Sequence, residues 1–229
     1  MRAPVSVILP TLNAAAALPR TLGALGEGLS AGLIREVILS DGGSTDATAR
    51  IAAEAGARMV SGAPSRGGQL RRGAEAASGD WLLVLHADSV LGPGWAQAVL
   101  SHLADRPERA GHFRLVFDAP GVAPALVAGW ANLRSGLFGL PYGDQGLLIS
   151  RALYDRVGGY PDIPLMEDVA MARALRGHLS TLDAPVVTSA ARYREEGWAR
   201  RGARNLTLLA RYLGGADPDR LARAYRKRR

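Results

Sequence analysis

The amino-acid sequence predicts an α/β domain with a central, mostly parallel sheet flanked by helices. Two observations lead to this fold class: short apolar runs stop at Pro, Gly or Asp, and Ala-rich or Leu-rich segments of helical length separate those runs. The chain has 229 residues, which is enough for one such domain with a sizeable core. Its hydrophobic content of 48% and charged content of 21% are ordinary for a globular protein.

The first half of the chain alternates between strands and helices. The expected strands are 5–9, 37–39, 58–60 and 81–85, and the expected helices are 18–29, 46–55 and 68–77. Strands that alternate with helices in this way form βαβ units, whose strands run parallel. Ser44 is expected to cap the second helix, because its hydroxyl can accept a hydrogen bond from an unpaired amide of the first turn.

The second half is less regular. It is expected to contain strands over 112–117 and 146–149, a helix over 167–176, a strand over 186–189 that closes the sheet, and an amphipathic helix over 199–213. The longest apolar stretch, 122–140, includes Pro124, Asn132 and Arg134. It falls short of the roughly 20 apolar residues that a bilayer span requires, so we expect a buried or interfacial helix.

The net charge of +7 is concentrated towards the C-terminus. Residues 192–229 hold twelve basic and four acidic side chains, whereas the rest of the chain is nearly neutral. We therefore predict a main domain over residues 1–198 and a basic helical extension over 199–229. Two interpretations of the extension stay open, namely a solvated surface and peripheral contact with an anionic membrane.

The chain has no cysteine, which excludes disulfides, thiolate metal sites and a cysteine nucleophile. Any metal must therefore bind to oxygen or imidazole. The first residues lead directly into an apolar strand and lack the features of a secretory signal, so a cytoplasmic location is expected.

Polar clusters follow several of the expected strands. They are Pro10-Thr11-Leu12-Asn13, Asp41-Gly42-Gly43-Ser44-Thr45-Asp46, His86-Ala87-Asp88 and Gly143-Asp144-Gln145-Gly146. One such cluster alone indicates little, since an Asp-Gly-Gly sequence is usually just a turn. Open α/β sheets, however, bind their ligands at the carboxyl ends of the strands, so four clusters together predict a ligand site.

The order of these clusters, followed by the acidic pair Glu167-Asp168, resembles glycosyltransferase family 2, whose members have the GT-A fold. In that family the first strand ends in Pro-Thr-x-Asn or a similar turn, the next ends in Asp-(Asp/Gly)-Gly-Ser-x-Asp, and a later one ends in an Asp-x-Asp metal motif. His86-Ala87-Asp88 stands where that metal motif is expected. The His-Ala-Asp variant and the sequence Arg66-Gly67-Gly68-Gln69 resemble the small subgroup associated with radical-SAM and selenodomain proteins.

The resemblance implies roles for individual residues. Asp88 is the implied ligand of a divalent cation, Mg²⁺ or Mn²⁺, for which carboxylate oxygen is suitable. Thr11 and Asp41 are implied to hold the base, with uracil preferred because its imide N–H can donate to a carboxylate. His86 contacts the ribose or the metal, or is merely packed. The full set implied for the nucleotide-sugar donor is Pro10, Thr11, Asn13, Asp41, Arg66, Gln69, His86, Asp144 and Gln145.

Catalysis is assigned to the acidic pair. The resemblance implies that Asp168, with Glu167 beside it, removes the proton from the acceptor hydroxyl as that hydroxyl attacks the sugar in line, which inverts the anomeric configuration. The alternative is that both acids only complement a helix dipole. Larger processive members carry a Gln-x-x-Arg-Trp motif, which is absent around Arg192, Arg194 and Trp198, so transfer of one sugar per acceptor is expected.

Other functions fit the sequence less well. A sugar nucleotidyltransferase needs a Gly-rich phosphate loop after the first strand, and a dinucleotide dehydrogenase needs Gly-x-Gly-x-x-Gly there; this chain has Thr11-Leu12-Asn13. A non-catalytic module that binds a nucleotide sugar or a polyanion stays open as the alternative. We expect no nucleic-acid partner, because no aromatic stacking platform is evident.

Overall fold

The computed structural model describes residues 3–226, and within that range the strands form one eight-stranded sheet. The strands are β1 Val5–Thr11, β2 Ile34–Asp41, β3 Arg58–Ser61, β4 Trp81–Val84, β5 Ser89–Leu91, β6 Ala110–Phe117, β7 Leu147–Ser150 and β8 Leu179–Thr188. Their order across the sheet is β3-β2-β1-β4-β7-β6-β8-β5. All the predicted strands are present, but β8 begins at Leu179, seven residues before the predicted start at 186, and β5 was not predicted.

The first four strands across the sheet run parallel, as the alternation of elements predicts. β7 lies antiparallel between β4 and β6, and β5 lies antiparallel to β8 at the edge. The prediction that 186–189 closes the sheet was wrong, because the short strand β5 lies beyond β8. The register pairs Thr11 with Asp41, so the first two polar clusters leave the sheet side by side.

The helices lie on both sides of the sheet. They are α1 Leu18–Ala24, α2 Gly26–Ser30, α3 Thr48–Glu54, α4 Arg66–Ala76, α5 Trp95–Asp105, α6 Val122–Phe138, α7 Arg151–Arg156, α8 Glu167–Ala174, α9 Ala191–Glu196, α10 Trp198–Leu213 and α11 Pro218–Arg226. The predicted helix 18–29 is two helices that meet at Leu25. The predicted cap was also wrong: α3 begins at Thr48, and the Ser44 hydroxyl donates to Asp41 instead.

Alternation along β1 builds a core on each face of the sheet. Successive strand residues point to opposite faces, so Val7 and Leu9 join one apolar cluster with Trp95, whereas Ile8 joins the other with Leu70 and Met171. Because both faces are covered, the strand ends are the part of the sheet that is left to bind a ligand.

The N-terminus of α4 lies very close to the segment 161–163. The amide of Gly67 donates to the carbonyl oxygen of Ile163 at 3.0 Å, and the Ser65 hydroxyl donates to Asp162 at 2.6 Å. A Cβ on Gly67 would lie 2.1 Å from the carbonyl oxygen of Pro161, and one on Gly68 would lie 2.5 Å from Asp162 Oδ1. Glycine at position 67 is therefore required by packing, because a side chain there would meet backbone atoms, whereas the close neighbour of Gly68 is a side-chain carboxylate.

The apolar stretch 122–140 forms α6, which is buried on one side only. Among residues 3–226, no helix is both long and apolar enough to cross a membrane. The basic C-terminal region forms α10 and α11; its last three residues, 227–229, lie outside the described part of the chain.

We expect the substitution Gly67→Ala to destabilise the protein by about 1–3 kcal/mol, because the new methyl group forces α4 away from 161–163. Gly23→Ala is the matched control: Gly23 lies in α1 with nothing within 4 Å of a Cβ, so alanine should stabilise the protein by about 0.5–1 kcal/mol. Urea unfolding monitored by circular dichroism measures both effects. Equal stability of the two variants would contradict the packing argument.

Candidate active site

The turns after β1 and β2 are joined through the Asp41 carboxylate. It accepts hydrogen bonds from the hydroxyls of Thr11 (2.9 Å) and Ser44 (2.5 Å) and from the amides of Gly43 (2.8 Å) and Ser44 (2.7 Å). Burial acts to raise the pKa of Asp41, but these hydrogen bonds outweigh it and hold the pKa below its ordinary value. The carboxylate therefore organises the loops, and its implied contact with a base stays a prediction.

Two further side chains fix the same loops. Asn13, with a left-handed backbone at φ 51°, accepts a hydrogen bond from the Thr45 amide at 2.8 Å. The buried Gln69 amide donates to the carbonyl oxygens of Thr11 at 2.7 Å and Ser40 at 3.0 Å. Gln69 therefore ties α4 to the ends of β1 and β2.

Two connected pockets open at the strand ends. The carboxylate pocket, about 160 Å³, is lined by His86, Asp88, Asp144, Asp168 and Tyr193 among others. The strand-end pocket, about 510 Å³, is lined by residues that include Pro10, Thr11, Asn13, Gln69 and Asp88. Arg66, His86 and Asp88 line both pockets. Most of the residues predicted from separate clusters are therefore brought to one continuous site.

Asp168 is held at the start of α8. Its Oδ2 accepts a hydrogen bond from the amide of Gly143 at 2.8 Å, and its Oδ1 accepts one from the amide of Val169 at 2.8 Å. A Cβ on Gly143 would lie 2.4 Å from Nε2 of His86, so the 143–146 turn packs directly on the His86 ring. The Asp168 carboxylate is thus fixed in orientation while it lines the carboxylate pocket.

Glu167 lies behind Asp168 and is only 1% exposed. Its carboxylate is 3.6 Å from Nε of Arg66, and within the described residues neither oxygen has a hydrogen-bond partner. Burial, and next the charge of Asp168, raise the pKa of Glu167 to about 7, while Arg66 opposes the shift. Glu167 therefore faces Arg66 and does not line the carboxylate pocket.

Two other titratable groups have strongly shifted pKa values. Burial raises the pKa of Asp144 to about 6; Arg134 lowers it, and the nearby carboxylates Asp168 and Asp88 raise it further. Burial and the charge of Arg66 lower the pKa of His86 to about 4, so its imidazole is neutral at pH 7. A neutral imidazole can accept a hydrogen bond or bind a metal, and both predicted roles of His86 stay open.

The pocket fits a divalent cation that binds together with a phosphate group. Mg²⁺ usually binds to one or two carboxylates plus substrate phosphates. Asp88 and Asp144 line the same pocket, and Oδ1 of Asp144 is buried with no hydrogen-bond partner among the described residues. Residues 3–226 contain no preformed group of three His, Asp or Glu metal ligands. The two carboxylates of the pocket are oxygen donors of the kind that Mg²⁺ and Mn²⁺ prefer.

Gln145 differs from its predicted role as a sugar contact. It is fully buried; its Oε1 accepts hydrogen bonds from Ser135 at 2.6 Å and Arg134 at 3.4 Å, and its Nε2 donates to the carbonyl oxygen of Phe113 at 3.3 Å. Both ends of the amide are thus occupied by the protein. Gln145 anchors the turn 143–146 to α6 and β6, and its neighbour Asp144 is the residue of that turn whose side chain lines the pocket.

Sequence reasoning did not select several residues that line the carboxylate pocket. They are Tyr142, Arg192, Tyr193, Arg201, Asn205 and Tyr225. Arg201 is buried and forms an ion pair with Glu196, and Tyr193 stacks on Trp198 at a ring distance of 4.7 Å. Most of these residues belong to α9, α10 and α11, so the C-terminal helices form one wall of the site. The basic, amphipathic character of 199–213 was the signal that could have drawn attention to this wall.

These features define an α/β protein with a pocket rich in carboxylates at the ends of its strands. Residues 6–124, a little over half of the chain, match the family described as glycosyl transferase family 2. The chain therefore belongs to glycosyl transferase family 2.

Curated relatives agree with the family. The PGL/p-HBAD biosynthesis glycosyltransferases of Mycobacterium bovis and Mycobacterium tuberculosis are 39% identical to this chain over 99 residues, which is 40% of this chain. The match covers only 38% of the length of those relatives. The activity and substrates of the whole relatives are therefore not transferred to this chain by the match.

Solved structures agree in fold. S. aureus TarS 1–349 in complex with UDP has a TM-score of 0.64 at 17% identity, and the match covers 81% of this chain and 60% of that one. A second match is glucosyl-3-phosphoglycerate synthase from Mycobacterium tuberculosis in complex with Mn²⁺, UDP and glucosyl-3-phosphoglycerate. Its TM-score is 0.55 at 23% identity, and the match covers 81% of this chain and 70% of that one. At such identities the likeness supports the fold alone, and it confirms the predicted GT-A fold.

The raised pKa of Glu167 predicts that the substitution Glu167→Gln changes the thermal stability of the protein in a pH-dependent way. In the folded state Glu167 keeps its proton up to about pH 7, whereas the unfolded chain releases it near the ordinary value of 4.5. The wild type therefore loses stability as the pH rises from about 4.5 to 7, and the loss is complete above pH 7. Glutamine has no such proton. We expect Glu167→Gln to raise Tm by several degrees at pH 8 and by much less at pH 5.

Thermal unfolding by differential scanning calorimetry, without nucleotide or metal, measures this effect. Glu54→Gln is the control, because the side chain of Glu54 is 61% exposed and its surface ion pair with Arg50 contributes little. A lower Tm for Glu167→Gln at pH 8 would show instead that the contact with Arg66 dominates.

Proposed function

We propose that the protein transfers one sugar from a UDP-linked donor to an acceptor hydroxyl, with inversion and with the help of Mg²⁺ or Mn²⁺. The observation that carries the proposal is the placement of Asp88 and Asp168 in one pocket that continues into the strand-end pocket through Arg66 and His86. The neighbouring structures that hold UDP with Mn²⁺ or Mg²⁺ support the same choice of donor and metal.

The donor nucleotide is proposed to lie in the strand-end pocket. The turns after β1 and β2 form one wall, because Asp41 and Gln69 hold them together. Pro10, Thr11 and Asn13 line this pocket beside Arg66, whose guanidinium supplies a positive charge for the diphosphate. The uracil preference rests on hydrogen-bond acceptors at the strand ends and remains part of the proposal.

Asp88 is the proposed metal ligand, with Asp144 as a second carboxylate within the same pocket. A divalent cation there would stabilise the charge that develops on the diphosphate as its bond to the sugar breaks. Burial is the main reason for the raised pKa of Asp144, and the charges of Asp168 and Asp88 add to it; a bound cation would relieve that repulsion.

Asp168 is the proposed general base. Its two backbone hydrogen bonds fix the carboxylate, and an acceptor hydroxyl in the pocket would give its proton to one of the oxygens as it attacks the anomeric carbon. Attack from the side opposite the diphosphate inverts the anomeric centre. Glu167 is proposed to position Arg66, because its carboxyl group lies 3.6 Å from the guanidinium and outside the lining of the carboxylate pocket.

Three further parts of the proposal concern the whole chain. We propose membership of the subgroup associated with radical-SAM proteins, which rests on the His86-Ala87-Asp88 and Arg66-Gly67-Gly68-Gln69 sequences. The catalytic domain is proposed to span 1–198, and the extension 199–229 is proposed to add a wall to its pocket through residues such as Arg201 and Asn205. Peripheral contact of that basic extension with an anionic membrane is also proposed, supported by its excess of arginine.

Asp88→Asn should abolish Mn²⁺-dependent UDP binding without unfolding the protein, because it removes one charge from a strand end and no core volume. Wild-type Tm should rise with UDP plus Mn²⁺ and by less with either alone, since ligands that bind the native state stabilise it. The control Asp105→Asn, at an exposed helix end, should behave as the wild type. A full UDP–Mn²⁺ shift in Asp88→Asn would contradict the metal role.

Asp168→Asn should bind UDP and Mn²⁺ as the wild type does and lose about 10²–10⁴-fold in sugar transfer, because the asparagine oxygen can keep a backbone hydrogen bond but the amide cannot remove a proton. Transfer is measured by UDP release in the presence of candidate acceptors, and binding by the thermal shift. If binding is lost together with the rate, Asp168 contacts the donor and is not the base.

A further inference from the structure

The exposed side of α6 carries no polar side chain. The positions that face solvent are Val122, Ala125, Leu126, Gly129, Trp130, Leu133, Gly136, Leu137 and Phe138, here called the α6 apolar face. Leu126 and Leu137 are 68% and 69% exposed, and Trp130 is 46% exposed. A surface helix normally turns charged and polar residues to water. A continuous exposed apolar surface of this kind marks a binding site.

The opposite side of α6 is firmly packed. Asn132 accepts a hydrogen bond from the Leu115 amide at 2.8 Å and donates to the Leu115 carbonyl oxygen at 3.0 Å. Ala128, Ala131 and Ser135 are buried. The helix is thus fixed to β6 in one rotation, and its apolar face points outward because of that packing.

An apolar groove of about 440 Å³ runs between α6 and α10. Its walls include Leu126, Val127, Trp130, Trp198, Ala203 and Leu206. Such a volume lies within the usual range of ligand pockets. At one end the groove is lined by Tyr142, Asp144, Tyr193 and Asn205, which also line the carboxylate pocket. An apolar chain in the groove would therefore lead directly to the proposed catalytic carboxylates.

Positive charge is concentrated on α9 and α10. Residues 192–213 contain six arginines and two glutamates, and one of these, Glu196, is paired with Arg201 and Arg204. Arg200 and Arg211 are exposed on α10, the helix that presents Leu206 to the groove. An apolar face on a helix that packs beside an arginine-rich helix suits a bilayer with anionic headgroups, where basic residues interact favourably with the surface charge.

We propose that the α6 apolar face docks on an anionic bilayer and that the groove between α6 and α10 receives the hydrocarbon chain of a membrane-borne acceptor. The inference rests on the proposed transfer to an acceptor hydroxyl, and it names the acceptor as an amphiphile. Its polar end lies in the carboxylate pocket near Asp168, and its chain passes Trp130 towards the bilayer. The continuity of groove and pocket favours a lipid over a second protein surface as the occupant.

Vesicle co-sedimentation tests the docking surface. It compares the full wild-type chain with the double variant Leu126→Gln/Leu137→Gln. Wild type should bind vesicles of phosphatidylcholine with phosphatidylglycerol, bind pure phosphatidylcholine more weakly, and lose binding as salt increases. The double variant should bind the anionic vesicles at least about tenfold more weakly, since two apolar side chains no longer enter the bilayer. Leu29→Gln, at an exposed leucine of α2, should bind as the wild type.

The groove is tested by filling it with Gly202→Leu. Gly202 lines the groove, and nothing lies within 4 Å of a Cβ there, so the larger side chain has room on α10. The probe is n-dodecyl maltoside below its micelle concentration, with maltose as the counterpart that has no chain. Tryptophan fluorescence should report saturable binding of the detergent by wild type, at least about tenfold weaker binding by Gly202→Leu, and no response to maltose.

Three results would overturn the proposal: no vesicle binding by wild type at low salt, equal binding by the double variant, or a wild-type dimer in sedimentation velocity that the double variant loses. The last result would assign the α6 apolar face to a second copy of the chain.

The UDP–Mn²⁺ thermal shift, measured on each protein, separates the membrane inference from the proposed function. If wild type binds UDP but not vesicles, only the membrane inference fails; if wild type does not bind UDP, the proposed function fails.

Discussion

The approach of the α4 N-terminus to residues 161–163 is the contact on which the geometry of the site depends. Gly67 has no side chain, so its amide reaches the carbonyl oxygen of Ile163 at 3.0 Å. The segment 161–163 leads directly into α8, which carries the acidic pair Glu167-Asp168, whereas α4 carries Arg66 and packs on β1 and β2. This close approach, together with the Ser65–Asp162 hydrogen bond and the Arg66–Glu167 ion pair, connects the part of the protein that forms the strand-end turns with the part that carries the proposed base.

Buried acids in this protein fall into two groups. Asp41 receives four hydrogen bonds, which hold its pKa below the ordinary value, and it stabilises the loops. Glu167 and Asp144 instead have raised pKa values, since burial and neighbouring carboxylates disfavour their charged forms and Arg66 or Arg134 only partly offsets this. Strongly shifted groups of the second kind concentrate at functional sites. The site therefore attracts positive charge, from arginine and from a cation with its diphosphate.

The role of a residue could be predicted where the neighbouring sequence decides that role, and not where distant parts of the chain decide it. Seven of the eight strands in residues 3–226 were predicted, because apolar runs that end in Gly, Pro or Asp indicate strands without reference to the rest of the chain; the short strand β5 was not predicted. Gln145 was selected as a ligand contact because it stands beside Asp144, yet its amide is buried against α6 and β6. Tyr193 and Asn205 were missed because they lie on helices far along the sequence from the strand-end motifs. Their place in the site depends on how α9 and α10 pack, which no local pattern specifies.

The sequence by itself determined the fold class, the order of the strand-end turns and the set of carboxylates from which the site is built, since each depends on periodicity, turn residues or a short motif. Only the tertiary structure decided which polar side chains face the pocket and which hold the scaffold. It also turned the apolar residues of α6 outward and placed them beside α10. The physical reason is that the direction and exposure of a side chain depend on packing between elements that are distant in the sequence. Asn132 fixes the rotation of α6 against β6, and that rotation decides which residues of α6 contact water.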